Sequence, residues 1–341
     1  MNKNKEIYTK FGLVRDMLSV PDIIRSFDVQ RMRGTSQTIS QVGRLLMTGE
    51  GSSRLFPAKS AIATARRHGW PLVLHTEAGF QSQEYNLEDW AIFALSNSGR
   101  TAEVVGLFEQ LERAGHPHRY SLTAFPNSKL ESLANAGYVL TCGEEQAVAA
   151  TKSVIEQALF LRALVQNAGN GEFTANLDQL AAAFESALTT PIDPRFVARV
   201  CQARTIYWAG RNDGVAEELT LKTNEITRKT ADFLEGTYAV HGIEEVMEPG
   251  DVVICVDPYP GSEEKFETVL ATGIGLSVIA IASRPTRFPT IITTDVGEFS
   301  SFVQMAAGWN LLVEIGMALG IDIDKPSRAR KVGNEYKSPT P

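Results

Sequence analysis

The chain alternates short apolar runs with longer amphipathic stretches. Strand-like runs stand at 44-RLLMTG-49, 71-PLVLHT-76, 91-AIFAL-95, 119-RYSLTAF-125 and 138-YVLTC-142, while Leu55 to His68 and Ala102 to Ala114 place apolar residues at helical spacing. Nearly continuous apolar strands separated by helices predict βαβ units and a parallel sheet covered on both faces. Upstream, residues 5 to 45 read as helices, and Pro21 after Val20 in 16-DMLSVPDIIRSF-27 predicts two helices meeting at the proline. A helix-rich stretch runs from about Ala147 to Ala187, and Pro191 and Pro194 punctuate the chain after it. The strand pattern then restarts with 205-TIYWAG-210, 252-VVICV-256, 276-LSVIAIA-282 and 290-TIITT-294, and 214-GVAEELTLKTNEITRKTADF-233 reads as one helix.

The second series looks like a copy of the first. Gly210 follows Gly49 by 161 residues, Asp257 follows Ser96 by 161, and Pro285 follows Pro126 by 159. Landmarks at a nearly constant offset, each just after a strand, are the signature of an internal repeat. The 341 residues agree with two domains, and 43% hydrophobic and 21% charged residues is ordinary globular composition. A net charge of −7 disfavours general binding to DNA or anionic membrane. Cys142, Cys201 and Cys255 are odd in number and widely spaced, which predicts reduced thiols rather than a disulfide framework or a metal site. The start, MNKNKEIYTKFG, lacks the apolar core of a signal peptide, and no run of about 18 apolar residues occurs, so a cytoplasmic location is expected. The tail, 326–341, is basic and polar: a disordered end or a strip lying over a domain.

In open parallel sheets ligands bind outside the carboxyl ends of the strands. Ser96-Asn97-Ser98-Gly99-Arg100-Thr101 falls at such an end, before a helix whose first N–H groups lack partners. One hydroxyl there is an ordinary helix cap; three hydroxyls and a glycine in six residues favour an anion site, and a phosphate in particular. At the matching place the second half reads 257-DPYPGSEEKF-266, whose carboxylates would repel a phosphate. The first glycine loop, 48-TGEGSSRL-55, is a tight turn or a second contact for the ligand, through Gly49, Gly51 and Ser52. It does not continue into a dinucleotide motif, and no Walker loop is present. Glu218, Lys222 and Glu225 share one helix face, either a solvated salt-bridge face or, with Leu221 and Ile226 close by, charges at an interface. His241 precedes Gly242 in a loop and is open to a structural or a functional role; His68, His75, His116 and His118 form no metal pattern.

Together these residues resemble the SIS (sugar isomerase) family of phosphosugar-binding domains, whose Ser-x-Ser-Gly-x-Thr-x-Glu signature stands here as Ser96 to Glu103. Two further segments, 143-GEEQAVAATKS-153 and 324-DKPSRARKV-332, are similar to the branch that holds the isomerase half of glucosamine-6-phosphate synthase and standalone phosphosugar isomerases, deaminases and deglycases. The resemblance implies an α/β fold of two tandem SIS domains, each a three-layer αβα sandwich with a parallel, flavodoxin-like sheet. A helical segment would span 1–30, a first, phosphate-binding domain 31–170, a helical linker 171–195, a second domain 196–325, and a tail over the active site 326–341. No glutamine-hydrolysing domain is expected.

By the same resemblance, Ser96, Asn97, Ser98 and Thr101 would hold a sugar phosphate, with the first glycine loop beside them. Glu225 would move a proton between C1 and C2. Glu218 and Lys222 would be its polar partners, with Lys222 near O2. His241, reaching in from the partner of a homodimer or higher homo-oligomer, would assist ring opening, and Lys331 would approach the open-chain sugar. The implied function is isomerase-type chemistry on an amino-substituted hexose 6-phosphate, as a deaminase/isomerase or a deglycase, without cofactor or metal; the alternative is a non-catalytic sugar-phosphate-binding regulator. The family's Gly-Glu-x-x-His-Gly-Pro becomes Thr237-Tyr238-Ala239-Val240-His241-Gly242-Ile243, and Ala150 replaces a family serine. These departures bear on substrate identity more than on fold.

Overall fold

The computed structural model describes residues 1–169, 171, 173 and 175–337. They form two compact units. The sheet-1 unit comprises 26–145 and the described parts of 150–174 and 330–341; the sheet-2 unit comprises 1–25, 146–149 and 175–329.

The chain opens in the sheet-2 unit with α1 (Glu6–Thr9) and α2 (Gly12–Arg25). The sheet-1 unit comes next: α3 (Arg33–Val42), β1 (Arg44–Thr48), α4 (Leu55–His68), β2 (Val73–Glu77), α5 (Gly79–Ser82), β3 (Ala91–Ser96), α6 (Ala102–Arg113), β4 (Arg119–Thr123), α7 (Lys129–Leu133), β5 (Ala136–Val139) and α8 (Lys152–Ala168). Its five strands are parallel, in the order β2-β1-β3-β4-β5. Along β3 successive side chains point to opposite faces. Ile92 and Ala94 pack with Val104, Leu107 and Phe108 of α6 and with Leu130 and Leu133 of α7. Phe93 faces the other way, its ring 5.6 Å from that of Phe160 on α8, and α3 and α4 pack on α8. Helices on both faces keep β3 dry, which is why its sequence is apolar throughout rather than alternating.

The sheet-2 unit resumes with α9 (Leu177–Thr189), α10 (Pro194–Gln202), β6 (Thr205–Gly210), α11 (Val215–Thr227), β7 (Thr230–Glu235), β8 (Val252–Val256), α12 (Glu263–Phe266) continued by a π-helical stretch (Glu267–Ile274), β9 (Ser277–Ala282), β10 (Thr290–Ile292) and α13 (Ser300–Ala318). Its sheet is also parallel, and read from β7 the order is β7-β6-β8-β9-β10, the same connectivity as sheet 1. Tyr207, Ala209, Val253 and Cys255 pack with Phe266, Leu270, Ala239 and Val240 on one face. On the other, the buried Trp208 donates its indole N–H to Thr223 of α11 at 2.7 Å.

Three expectations are corrected. The stretch 214–233 is not one helix: α11 stops at Thr227, Arg228 takes φ 60°, and β7 pairs with β6 from Thr230↔Thr205 onward. The Arg228 guanidinium donates to the carbonyls of Glu225 and Ile226, closing the helix end from its own next residue. Pro21 does not split α2. Leu13, Val14, Met17, Val20 and Ile24 are all buried, α2 packs on α9, and this packing outweighs the lost N–H. The N-terminus of α2 is capped from far along the chain, as Asp324 accepts the Gly12 and Leu13 N–H groups at 2.8 and 2.7 Å. Strand β5 ends at Val139, not at Cys142, because the buried Glu156 carboxylate takes the N–H groups of Thr141 and Cys142 and draws the chain off the sheet.

Candidate active site

In the sheet-1 unit, the loops after β1 and β3 lie at the point where the strand order reverses direction. The loop after β3 is shaped by its own hydroxyls. Ser96 Oγ accepts the Gly99 N–H at 3.0 Å and lies 2.9 Å from Thr101 Oγ1, and Ser98 Oγ accepts the Arg100 N–H at 3.1 Å. Gly99 has φ 63°, and a Cβ there would fall on the Ser128 side chain, which caps α7 by accepting the Glu131 N–H. Gly49 has a related reason to be glycine: a Cβ would sit 2.8 Å from the Leu95 carbonyl, so its absence lets the end of β1 lie against β3. Gly51, at φ 52°, opens a short 3-10 turn that buries Ser52. Ser96, Asn97, Ser98, Thr101, Gly49, Gly51 and Ser52 therefore gather at the carboxyl end of the two central strands β1 and β3.

Two acids at this end carry displaced pKa values. Burial pushes the Glu50 carboxyl up, and Glu103 and Glu77 add to this, against the Gly79 N–H that it accepts at 2.8 Å and the charge of Arg54. Glu145 goes the other way. Burial raises it, but the Lys331 ammonium and the N–H groups of Thr151 and Ser153 outweigh burial and hold it below the usual carboxylate range.

The tail is a strip over the sheet-1 unit, at least through Lys337; its last four residues, 338–341, lie outside the described residues. Lys331 Nζ is 2.6 Å from Glu145 Oε2. Beyond it, Glu335 bridges Thr101 in antiparallel register, the Ala102 N–H donates to Asn334 O at 3.0 Å, and the Tyr336 N–H donates to Arg100 O at 2.8 Å. The tail thus takes up one of the N-terminal N–H groups of α6. Arg100 pairs with Glu335 at 2.9 Å, and Tyr336 Oη donates to Glu109 at 2.6 Å.

In the sheet-2 unit, α11 carries Glu218, Lys222 and Glu225. The Lys222 ammonium is fully buried and lies 3.3 Å from Glu218 Oε1 and 2.6 Å from Glu225 Oε2. Glu218 is fully buried as well, while the Glu225 side chain keeps 21% of its exposure. Of the two readings of this face, the solvated one is excluded. His241 lies on a different segment, the exposed turn after β7, next to Gly242 at φ 108°.

The loop that matches Ser96–Thr101 is organised differently. Asp257, at φ 46°, takes the Arg211 guanidinium on both its carbonyl and its carboxylate, and that guanidinium stands 4.4 Å from the Tyr259 ring centroid. The cavity left between Gly210, Gly236, Cys255 and Tyr259 is about 10 Å³, room for no more than about one water. The three cysteines are free thiols, and burial pushes Cys255 up to about 12. Among the described residues no His/Cys/Asp/Glu group is arranged to hold a metal, and no helix is long and apolar enough to cross a membrane. Sequence reasoning passed over Glu145, Asn334 to Tyr336 and Arg211. Only Glu145 carried a signal, since it stands in the segment 143–153 that resembles the family's, though no role was given to it.

A parallel sheet with a hydroxyl-lined glycine loop at its switch point defines a doubly wound α/β protein. Residues 38–166 match the family model described as SIS domain. A glutamine–fructose-6-phosphate aminotransferase (isomerizing) of Streptococcus pneumoniae is 27% identical over 255 residues, 70% of this chain and 42% of the relative. A Lactococcus lactis protein of the same name is 24% identical over 314 residues, 86% of this chain and 52% of the relative. The chain spans about half the length of the curated relatives it matches. The C-terminal domain of glucosamine-fructose-6-phosphate aminotransferase from Francisella tularensis shares the fold with TM-score 0.77 at 16% identity, over 93% of this chain and 98% of that one. Glucosamine-6-phosphate deaminase from Thermotoga maritima shares it with TM-score 0.74 at 18% identity, over 96% and 99%.

Proposed function

We propose that the protein is a phosphosugar isomerase-type enzyme built from two tandem SIS-type halves. It acts on an amino-substituted hexose 6-phosphate, as a deaminase/isomerase or a deglycase. One observation carries the reading: a buried lysine held between two glutamates on a single helix, Glu218–Lys222–Glu225. Charges taken out of water this way stabilise a fold poorly compared with apolar packing, so their presence calls for a use. The use fits sugar isomerisation. Glu225 takes a proton from C2 and returns it to C1, and Lys222 offsets the charge that develops on O2. Ser96, Asn97, Ser98 and Thr101 hold the phosphate, whose binding fixes the reacting carbons. Lys331 meets the open-chain sugar, and His241 of a partner subunit in a homodimer assists ring opening. The shared connectivity of the two sheets supports the tandem arrangement, and the names of the aminotransferase and deaminase relatives support the substrate class.

The test is a panel of glucosamine 6-phosphate, galactosamine 6-phosphate and fructose- and glucose-amino-acid 6-phosphates, with ammonia and free amino acid both measured. Glu225→Gln should abolish turnover and leave sugar-phosphate binding largely intact; unchanged turnover removes Glu225 from the chemistry. If hexose 6-phosphates raise the melting temperature of the wild type while none is converted, the protein is a sugar-phosphate-binding regulator instead.

A further inference from the structure

The Glu145 carboxylate, wholly buried, gathers four donors from three distant segments. Oε1 accepts the N–H groups of Thr151 and Ser153 at 2.7 and 3.1 Å; Oε2 accepts Asn97 Nδ2 at 3.2 Å and Lys331 Nζ at 2.6 Å. The first pair belongs to the start of α8, where the helix dipole favours a negative charge, so Oε1 is locked to a rigid element. A buried carboxylate is tolerated only when its acceptor positions are filled, and here the helix start fills one oxygen while two side chains fill the other. Oε2 is thus a fixed point at which a side chain of the hydroxyl loop and a cation of the tail converge.

We propose that Glu145 is a positioning residue, which sets the place of the Lys331 ammonium and of the Asn97 amide so that tail and hydroxyl loop engage a sugar phosphate as one unit. This rests on the functional reading above for its kinetic part, but not for its structural part. Glu145→Gln preserves shape and an acceptor for α8 while removing the charge that holds Lys331; Lys331→Met removes the other partner from an exposed tail, where it endangers folding little.

The experiment combines mass-resolved limited trypsin digestion with steady-state kinetics on wild type, Glu145→Gln, Lys331→Met and the double variant, each shown to melt cooperatively. Cleavage after Lys331 should accelerate about tenfold in Glu145→Gln, and kcat should fall about ten- to hundredfold, the range of a hydrogen bond to a charged group, with KM rising as the Asn97 amide loses its place. In the Lys331→Met background Glu145→Gln should cost no more than about twofold, since coupled residues do not add. Unchanged cleavage, unchanged kcat, or fully multiplying effects would overturn the proposal. A wild type that converts no sugar phosphate defeats the functional reading by itself, and the cleavage rates then decide the placement of Lys331 alone.

Discussion

The two sheets share one connectivity, yet their carboxyl-end crevices are finished in opposite ways. After β3 the loop turns on a glycine and presents hydroxyls, with a lysine held nearby by a buried carboxylate. After β8 the corresponding turn is made by Asp257, forced into the left-handed region, and the chain's own Arg211 closes over it against Tyr259. One loop is held by short hydroxyl contacts and by the tail; the other is closed by an arginine stacked on a tyrosine. Both loops carry an arginine paired with an acid, but Arg211 pairs with the turn residue Asp257 itself, whereas Arg100 pairs outward with Glu335 of the tail.

This contrast can be tested at three places. The largest effect is expected at Gly99→Ala: a Cβ in the left-handed region, directed at the cap of α7, should cost about 2–4 kcal/mol and abolish phosphate binding. Thermal melts with and without inorganic phosphate check it. Next, Arg211→Met removes a partly exposed ion pair and an aromatic contact, worth about 1–2 kcal/mol together, and should leave hexose-phosphate affinity unchanged. If calorimetry shows affinity falling as it does for Gly99→Ala, the plugged crevice is a ligand site after all. The smallest effect is in pH. The Glu145 carboxyl is held below its ordinary value in the folded protein, so its contribution is present above that ordinary value and is lost as pH falls through the lowered one. Wild type should therefore exceed Glu145→Gln in stability by about 1 kcal/mol at neutral pH, and the gap should close in acid below the usual carboxylate range; a gap that persists there contradicts the assignment.

The sequence exposes what is local and hides what is assembled. Strands such as Ile206 to Gly210 and Val252 to Val256 are legible because both faces are buried, so every position is apolar. The hydroxyl loop is legible because its chemistry lies within six residues. Strand β7 is not, since an edge strand needs apolar residues on few positions, and Thr230, Asp232 and Glu235 continue the polarity of the helix before it. Pro21 misleads because a packed amphipathic helix tolerates a proline that an isolated one would not. The setting of Glu145 is invisible for a different reason: its partners come from positions 97, 151–153 and 331, and no spacing rule links them.

Helix α2 finds its partners late. Its five buried apolar residues pack on α9, which begins at Leu177, and its cap is Asp324. On a ribosome adding about 5–20 residues per second, α2 would wait roughly 10–30 s for α9 and longer for Asp324, while the sheet-1 unit is made in between. An apolar face exposed for that long is a natural ligand for a chaperone. Synthesis reaches the strip from Lys331 to Tyr336 only after the strands of both sheets, so the hydroxyl loop acquires its lysine long after the strands beside it are made.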